Sequence, residues 1–105
     1  MSSLMRISTP TIKYFIDDEN FDMSRVAKSR MIISNIGGYR RIIRENPTID
    51  IENKSFSTIL TQEETKAFKV GPIEIQVHIK LDNNSVLWTE IVKTDIGRVL
   101  EENTI

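Results

Sequence analysis

The stretch from Ile73 to Leu81 alternates without a break. Ile73, Ile75, Val77, Ile79 and Leu81 interleave with Glu74, Gln76, His78 and Lys80, and Asp82 continues the polar set. A period of two over this length means a strand with one dry face and one wet face. Asn83-Asn84 follows, and then a second extended run from Val86 to Lys93. Asn tolerates the positive φ of tight hairpin turns, so the two runs are expected to form a β-hairpin. A two-residue loop would set Trp88 opposite Ile79 and point it toward the core. Glu90 would then point the same way, which needs a bulge, an arginine partner or burial against another chain.

Composition supports a β-fold. The 105 residues suit one domain, 1–105, large enough to bury a core without staples. There are 17 Ile and 9 Thr against 2 Ala, and β-branched side chains favour a pleated sheet over a helix. No cysteine is present, so disulfides and thiolate sites are excluded. Fourteen basic and fifteen acidic side chains balance to a formal charge of −1, which argues against a general nucleic-acid binder. The N-terminus Met-Ser-Ser-Leu-Met-Arg lacks the apolar core of a secretion signal, and no apolar run is long enough to span a bilayer. The expectation is a soluble protein retained in the cell that makes it.

The rest of the chain reads as further short strands. Thr11 to Ile16 has Ile12, Tyr14 and Ile16 on one face. The acidic loop Asp17-Asp18-Glu19-Asn20 follows, with Phe21 and Met23 anchoring it to the body. Arg25 to Ile36 and Tyr39 to Glu45 flank Gly37-Gly38, a two-residue turn that would place Ile36 opposite Tyr39 and Ile33 opposite Ile42. The pairs Ile32-Ile33 and Ile42-Ile43 suggest that both faces are partly covered or that a bulge shifts the register. A helix over Ser24 to Ser34 competes, but the β-branched content favours strand. Thr48 to Glu52 and Ser55 to Leu60 form another pair around Asn53-Lys54. Thr61-Gln62-Glu63-Glu64 is a capping box and predicts one helical turn over Gln62-Ala67. Gly71-Pro72 launches the long hairpin, and the final strand is expected to end near Ile96 before a short turn. About seven strands with turns every eight to twelve residues describe an all-β, single-domain antiparallel β-sandwich or small barrel.

Reactive chemistry is sparse. His78 is the one histidine and lies on the polar face of its strand, so an ordinary surface histidine is expected. The carboxylates Asp17, Asp18, Glu19 and Asp22 share a loop without the spacing or glycine of a calcium-binding hand. No nucleophile elbow, Walker loop or dinucleotide fingerprint is present. No catalytic, cofactor-binding or metal-ligating residue is assigned, and no cofactor is expected. One group departs from an even surface: Arg25, Lys28, Arg30, Arg40, Arg41 and Arg44 fall within 20 residues that contain no acid. They could meet carboxylates such as the Asp17–Asp22 loop, or form a modest patch for an anionic ligand. Charge balance favours the first.

The block Leu60-Thr61-Gln62-Glu63-Glu64-Thr65, followed by Phe68 and by Ile73 to Ile79 with Gln76, resembles a family of short proteins from phages and prophages of Gram-positive bacteria. Thr9-Pro10-Thr11, Trp88-Thr89-Glu90-Ile91 and the ending Arg98-Val99-Leu100-Glu101-Glu102 up to Ile105 are similar in kind. Gly37-Gly38 and Trp88 depart from that pattern. The resemblance implies an immunoglobulin-like β-sandwich and a non-enzymatic structural or assembly role. The protein would be made in the cytoplasm of the host bacterium and then built into the virion. Its partners would be other virion subunits, with a homo-oligomer open, no membrane, and nucleic acid disfavoured. The alternative is a small binding module that presents the Arg-rich hairpin to nucleic acid or another anionic ligand.

Overall fold

The computed structural model describes residues 4–5, 9–36 and 40–97. Among these, nine strands form two stacked sheets, the all-β sandwich expected from the spacing of strands and turns. The strands are β1 (Leu4–Met5), β2 (Thr11–Phe15), β3 (Val26–Asn35), β4 (Arg41–Glu45), β5 (Thr48–Asp50), β6 (Ser55–Ile59), β7 (Gly71–Leu81), β8 (Val86–Trp88) and β9 (Val92–Gly97). The large sheet runs β1-β9-β7-β3-β4, with β8 also on β7; the small sheet runs β2-β6-β5. Every pairing is antiparallel except β1 with β9, which is parallel at Leu4↔Ile96 and Met5↔Gly97.

The strand β7 is flanked on both edges, by β3 on one side and by β8 and β9 on the other. Its alternate residues Ile73, Ile75, Val77 and Ile79 are buried, as are Met31 and Ile33 of β3. The small sheet supplies the opposing layer with Ile12, Tyr14 and Phe56, and Leu60 and Phe68 close one end. Apolar rows from two inner faces meeting in this way are what make a sandwich core. Met23 is buried beneath the acidic loop and Phe21 packs against the core, so that loop is anchored as expected. A 3₁₀ turn at Met23–Arg25 precedes β3; its first amide groups are met by Asp22, whose carboxylate accepts from the Ser24 amide at 3.0 Å.

The β3–β4 hairpin has the expected register, with Ile33 opposite Ile42. Its Gly37-Gly38 turn and Tyr39 lie outside the described residues, as do Val99 and Leu100 beyond the last strand. Helix α1 (Gln62–Ala67) carries both halves of the capping box: the Glu64 amide donates to Thr61 Oγ1 at 3.1 Å and the Thr61 amide to Glu64 Oε1 at 2.9 Å. The buried side chain of Asn35 holds the segment after α1. Its Nδ2 donates to the Lys69 carbonyl and its Oδ1 accepts from the Lys69 amide, each at 3.2 Å.

The β7–β8 hairpin corrects one expectation. Trp88 pairs with His78, not Ile79, and Leu87 takes the place opposite Ile79. The cause is the loop. Asn84 has φ 67°, its amide donates to the Leu81 carbonyl at 3.0 Å, and the Leu81 amide donates to the Ser85 carbonyl at 2.8 Å. That is a three-residue connection, a turn followed by a left-handed residue. One extra loop residue shifts the pairing by one and turns every side chain of β8 to the other face. Trp88 therefore stands outward, 54% exposed, while Leu87 packs toward the core.

A bulge then undoes the shift. Ile79 pairs with Leu87, yet Ile75 pairs with Val92, so the β8–β9 side holds one extra residue around Thr89–Ile91. Side chains replace the interrupted ladder. Thr89 Oγ1 accepts from the Val77 amide at 2.9 Å, the Thr89 amide donates to the Val77 carbonyl at 2.9 Å, and Gln76 Nε2 donates to the Thr89 carbonyl at 2.8 Å. Glu90 is exposed, and its carbonyl accepts from the Tyr14 hydroxyl of the small sheet. The shifted register has a direct check. Leu87→Ala should lower unfolding free energy by about 2 kcal/mol or more, whereas Trp88→Ala should stay within about 1 kcal/mol of the parent. Paired urea denaturation curves measure both.

Candidate functional site: the outer face of the large sheet

Because β7 turns Ile73, Ile75, Val77 and Ile79 inward, it presents Glu74, Gln76, His78 and Lys80 outward. The registers extend each of these into a row across the sheet. One row reads Glu45, Arg30, His78, Trp88. The next reads Ile43, Ile32, Gln76, and the third reads Arg41, Ser34, Glu74, Lys93. Beyond the first row, Lys28 faces Lys80 and Lys80 faces Val86; beyond the third, Pro72 faces Asp95.

Two features give this face relief. The rings of His78 and Trp88 stack with centroids 3.8 Å apart and an interplanar angle of 2°, forming a ridge. Beside it lies a depression of about 400 Å³, lined by Ile32, Ile43, Trp88 and Ile91 and rimmed by Arg30, Arg41, Glu74 and Gln76. Ile43 is 50% exposed and Ile91 51%. Aromatic and aliphatic groups gathered in a shallow polar-rimmed concavity suit a macromolecular surface. His78 is thus a surface residue as expected, but it is engaged in the ring stack.

Of the six basic residues singled out in the sequence, Lys28, Arg30 and Arg41 share the outer face of the large sheet, but the six do not form one patch. Arg25 pairs with Asp82 at 3.2 Å at the end of the hairpin loop, and Arg30 with Glu45 at 2.6 Å on the outer face. Lys28 and Arg41 lie exposed on the large sheet, and Arg40 is exposed just before β4. Arg44 points the other way. Its Nη2 reaches Glu64 Oε1 at 2.7 Å and Oε2 at 2.9 Å, and its Nε donates to Thr58 Oγ1 at 3.0 Å. It also donates to the Ile59 carbonyl at 3.3 Å. Arginine–carboxylate pairing is therefore realised at Arg25, Arg30 and Arg44, but with Asp82, Glu45 and Glu64 in place of the acidic loop. In that loop Asp22 caps the 3₁₀ turn and Asp18 accepts from the Asn20 amide at 2.9 Å.

The Arg44 contact joins the two layers, since β4 belongs to the large sheet and Thr58 to the small one. It also shares Glu64 with the capping box. Burial alone would raise the Glu64 carboxyl; the Thr61 amide together with the hydrogen bond and charge of Arg44 outweigh it and hold the group below its ordinary value. Among the described residues, no group of three or more His, Asp or Glu could hold a metal ion, and no helix is long and apolar enough to cross a membrane. Compared with known proteins, the chain matches no family model, no curated protein and no solved structure.

Arg44→Ala should cost about 1–3 kcal/mol, because it strips a half-buried carboxylate of its charged partner; thermal or urea unfolding measures it. The pH dependence has a fixed sign. The folded state holds Glu64 below its ordinary value of 4.5, so the stability it contributes is complete above that value and is lost as pH falls through the lower folded one. Between about pH 5 and about pH 3 the melting temperature of Glu64→Gln should therefore fall less than that of the parent chain. Asp22 and Asp50, also held low by hydrogen bonds from Ser24 and Asn53, contribute to what remains of the acid limb.

Proposed function

We propose that the protein is a non-enzymatic structural or assembly component that works through protein–protein contacts on the outer face of its large sheet. The observation that carries this reading is the apolar depression beside the Trp88–His78 ridge, a half-exposed tryptophan and two half-exposed isoleucines gathered on one rigid surface. Tryptophan in a desolvating pocket is the kind of group that dominates interface energetics. The surface is built on strands that the core holds in place, so little ordering remains to be done on docking.

The likeness of Leu60 to Thr65, Phe68 and the strand through Gln76 to phage and prophage proteins gives this reading a setting. In that setting the chain is made in the bacterial cytoplasm and joins a particle, with the immunoglobulin-like form of sandwich that the likeness implies. The alternative, an anionic ligand on the Arg-rich hairpin, keeps a narrower basis. Arg25, Arg30 and Arg44 are each neutralised by a carboxylate, and Arg44 lies on the opposite side of its strand from Arg41.

The test is co-sedimentation. In lysates of cells that assemble the particle, the parent chain should travel with the high-mass fraction of a density gradient. Trp88→Ala and Ile43→Asp should shift most of it to the free fraction while circular dichroism shows each variant still folded. A parent chain found wholly in the free fraction would sink the reading.

A further inference from the structure

We propose that the partner on this face is a second copy of the chain, docked face to face about a twofold axis that runs across the strands along the row Ile43–Ile32–Gln76. The inference rests on the reading of the outer face as a contact surface and names its occupant.

The argument is charge and shape self-complementarity. A twofold along the middle row leaves that row facing itself, so Ile43 meets Ile43 and Ile32 meets Ile32 of the second copy. It exchanges the two flanking rows. Glu45, Arg30, His78 and Trp88 of one copy come over Arg41, Ser34, Glu74 and Lys93 of the other, in that order. Arg41 then faces a carboxylate, Glu45. Glu74 comes over His78, a polar partner for its carboxylate. Lys93 comes over Trp88, where its aliphatic stem can pack along the ring while its charge stays in water. Each of these contacts occurs twice, as an isologous interface requires. Shape follows the same exchange. The His78–Trp88 ridge of one copy falls on the flank of the other's depression, and the two ridges lie on either side of the axis.

Size is adequate. Four strands about 4.8 Å apart and five rows about 6.7 Å apart make a face of roughly 20 by 30 Å. With side-chain relief, its accessible area approaches the ~800 Å² per partner of a stable interface. The outer face of the small sheet offers no such exchange, because its exposed Phe15 and Ile59 sit at opposite ends of the β2–β6 pairing.

The experiment is a charge swap read by light scattering and sedimentation on the purified chain. The parent should have twice its 12.1 kDa chain mass at micromolar concentration. Arg41→Glu and Glu45→Arg should each weaken the dimer by about tenfold or more, since each sets like charges against each other twice. An equimolar mixture of the two variants should dimerise again. One variant then carries glutamate at both positions 41 and 45, the other carries arginine at both, and every carboxylate meets a guanidinium across the axis. Within one chain, positions 41 and 45 are four residues apart on the same strand, so the recovery cannot arise inside a monomer. Lys13→Glu, on the small sheet, should change nothing, and circular dichroism confirms that each variant is folded. A monomeric parent, single variants that dimerise like the parent, or a mixture that stays monomeric would each overturn the proposal. A monomeric parent that still co-sediments with the particle would overturn the twofold alone and leave the assembly reading standing.

Discussion

Everything in this structure depends on drying the inward row of β7. Ile73, Ile75, Val77 and Ile79 each lose almost all contact with water, and no strand can achieve that by pairing within its own sheet. A second layer has to cover them, and Ile12, Tyr14 and Phe56 do so. Burial of apolar surface at roughly 25 cal/mol per Å² is the main favourable term available to a chain of this size. Once the parity of β7 is fixed, the parity of β3 and β4 follows through the ladder. The outer rows are the other half of the same alternation. The face that offers Ile43 and Arg41 is therefore determined by the core as firmly as the core itself, and the loop after β7 adds Trp88 to it.

A second constraint acts between the layers. Dispersion and hydrophobic contact do not specify how one sheet is held along its open side. Arg44 does, because its fork reaches Thr58, the Ile59 carbonyl and Glu64 together and so ties β4 to β6 and to α1. Glu64 is already fixed by the capping box, so α1 serves as an anchor more than as a helix in its own right. Six residues are too few for a helix to persist without such support.

The parts of this fold that are legible in the sequence are those with local causes. The alternation of β7, the Thr61–Glu64 capping box and the pairing of Ile33 with Ile42 each follow from a few neighbouring residues. The Arg30–Glu45 contact is implicit in that last register, because it lies on the same hairpin. The Arg44–Glu64 contact is not, since it spans two sheets whose relative placement no local pattern encodes. Trp88 departs from its expected place for one reason. Asn83-Asn84 reads as a two-residue loop, whereas Asn84 takes the left-handed position at the end of a three-residue one. The same two-residue assumption gives the correct pairing for β9, where Ile75 meets Val92, because the bulge at Thr89–Ile91 restores the phase. Short loops and bulges shift registers by whole residues, and both are decided by where hydrogen bonds close.

The two phase shifts together set what the outer face presents. A continuous hairpin would have carried Trp88 inward, where its large ring could contribute more to stability than the smaller Leu87 that takes that place. Instead the three-residue loop exposes Trp88, and one residue inserted further on returns Lys93 to the outer face beside Glu74. The bulge also requires its own upkeep, from Thr89, Gln76 and Tyr14. None of this improves the core. A cross-strand aromatic pair stabilises a sheet by only about 0.2–1 kcal/mol, less than a buried tryptophan could contribute, so the stability of one chain is not what the exposed ring serves best; the proposed contact with a second copy would use the ridge that Trp88 forms with His78.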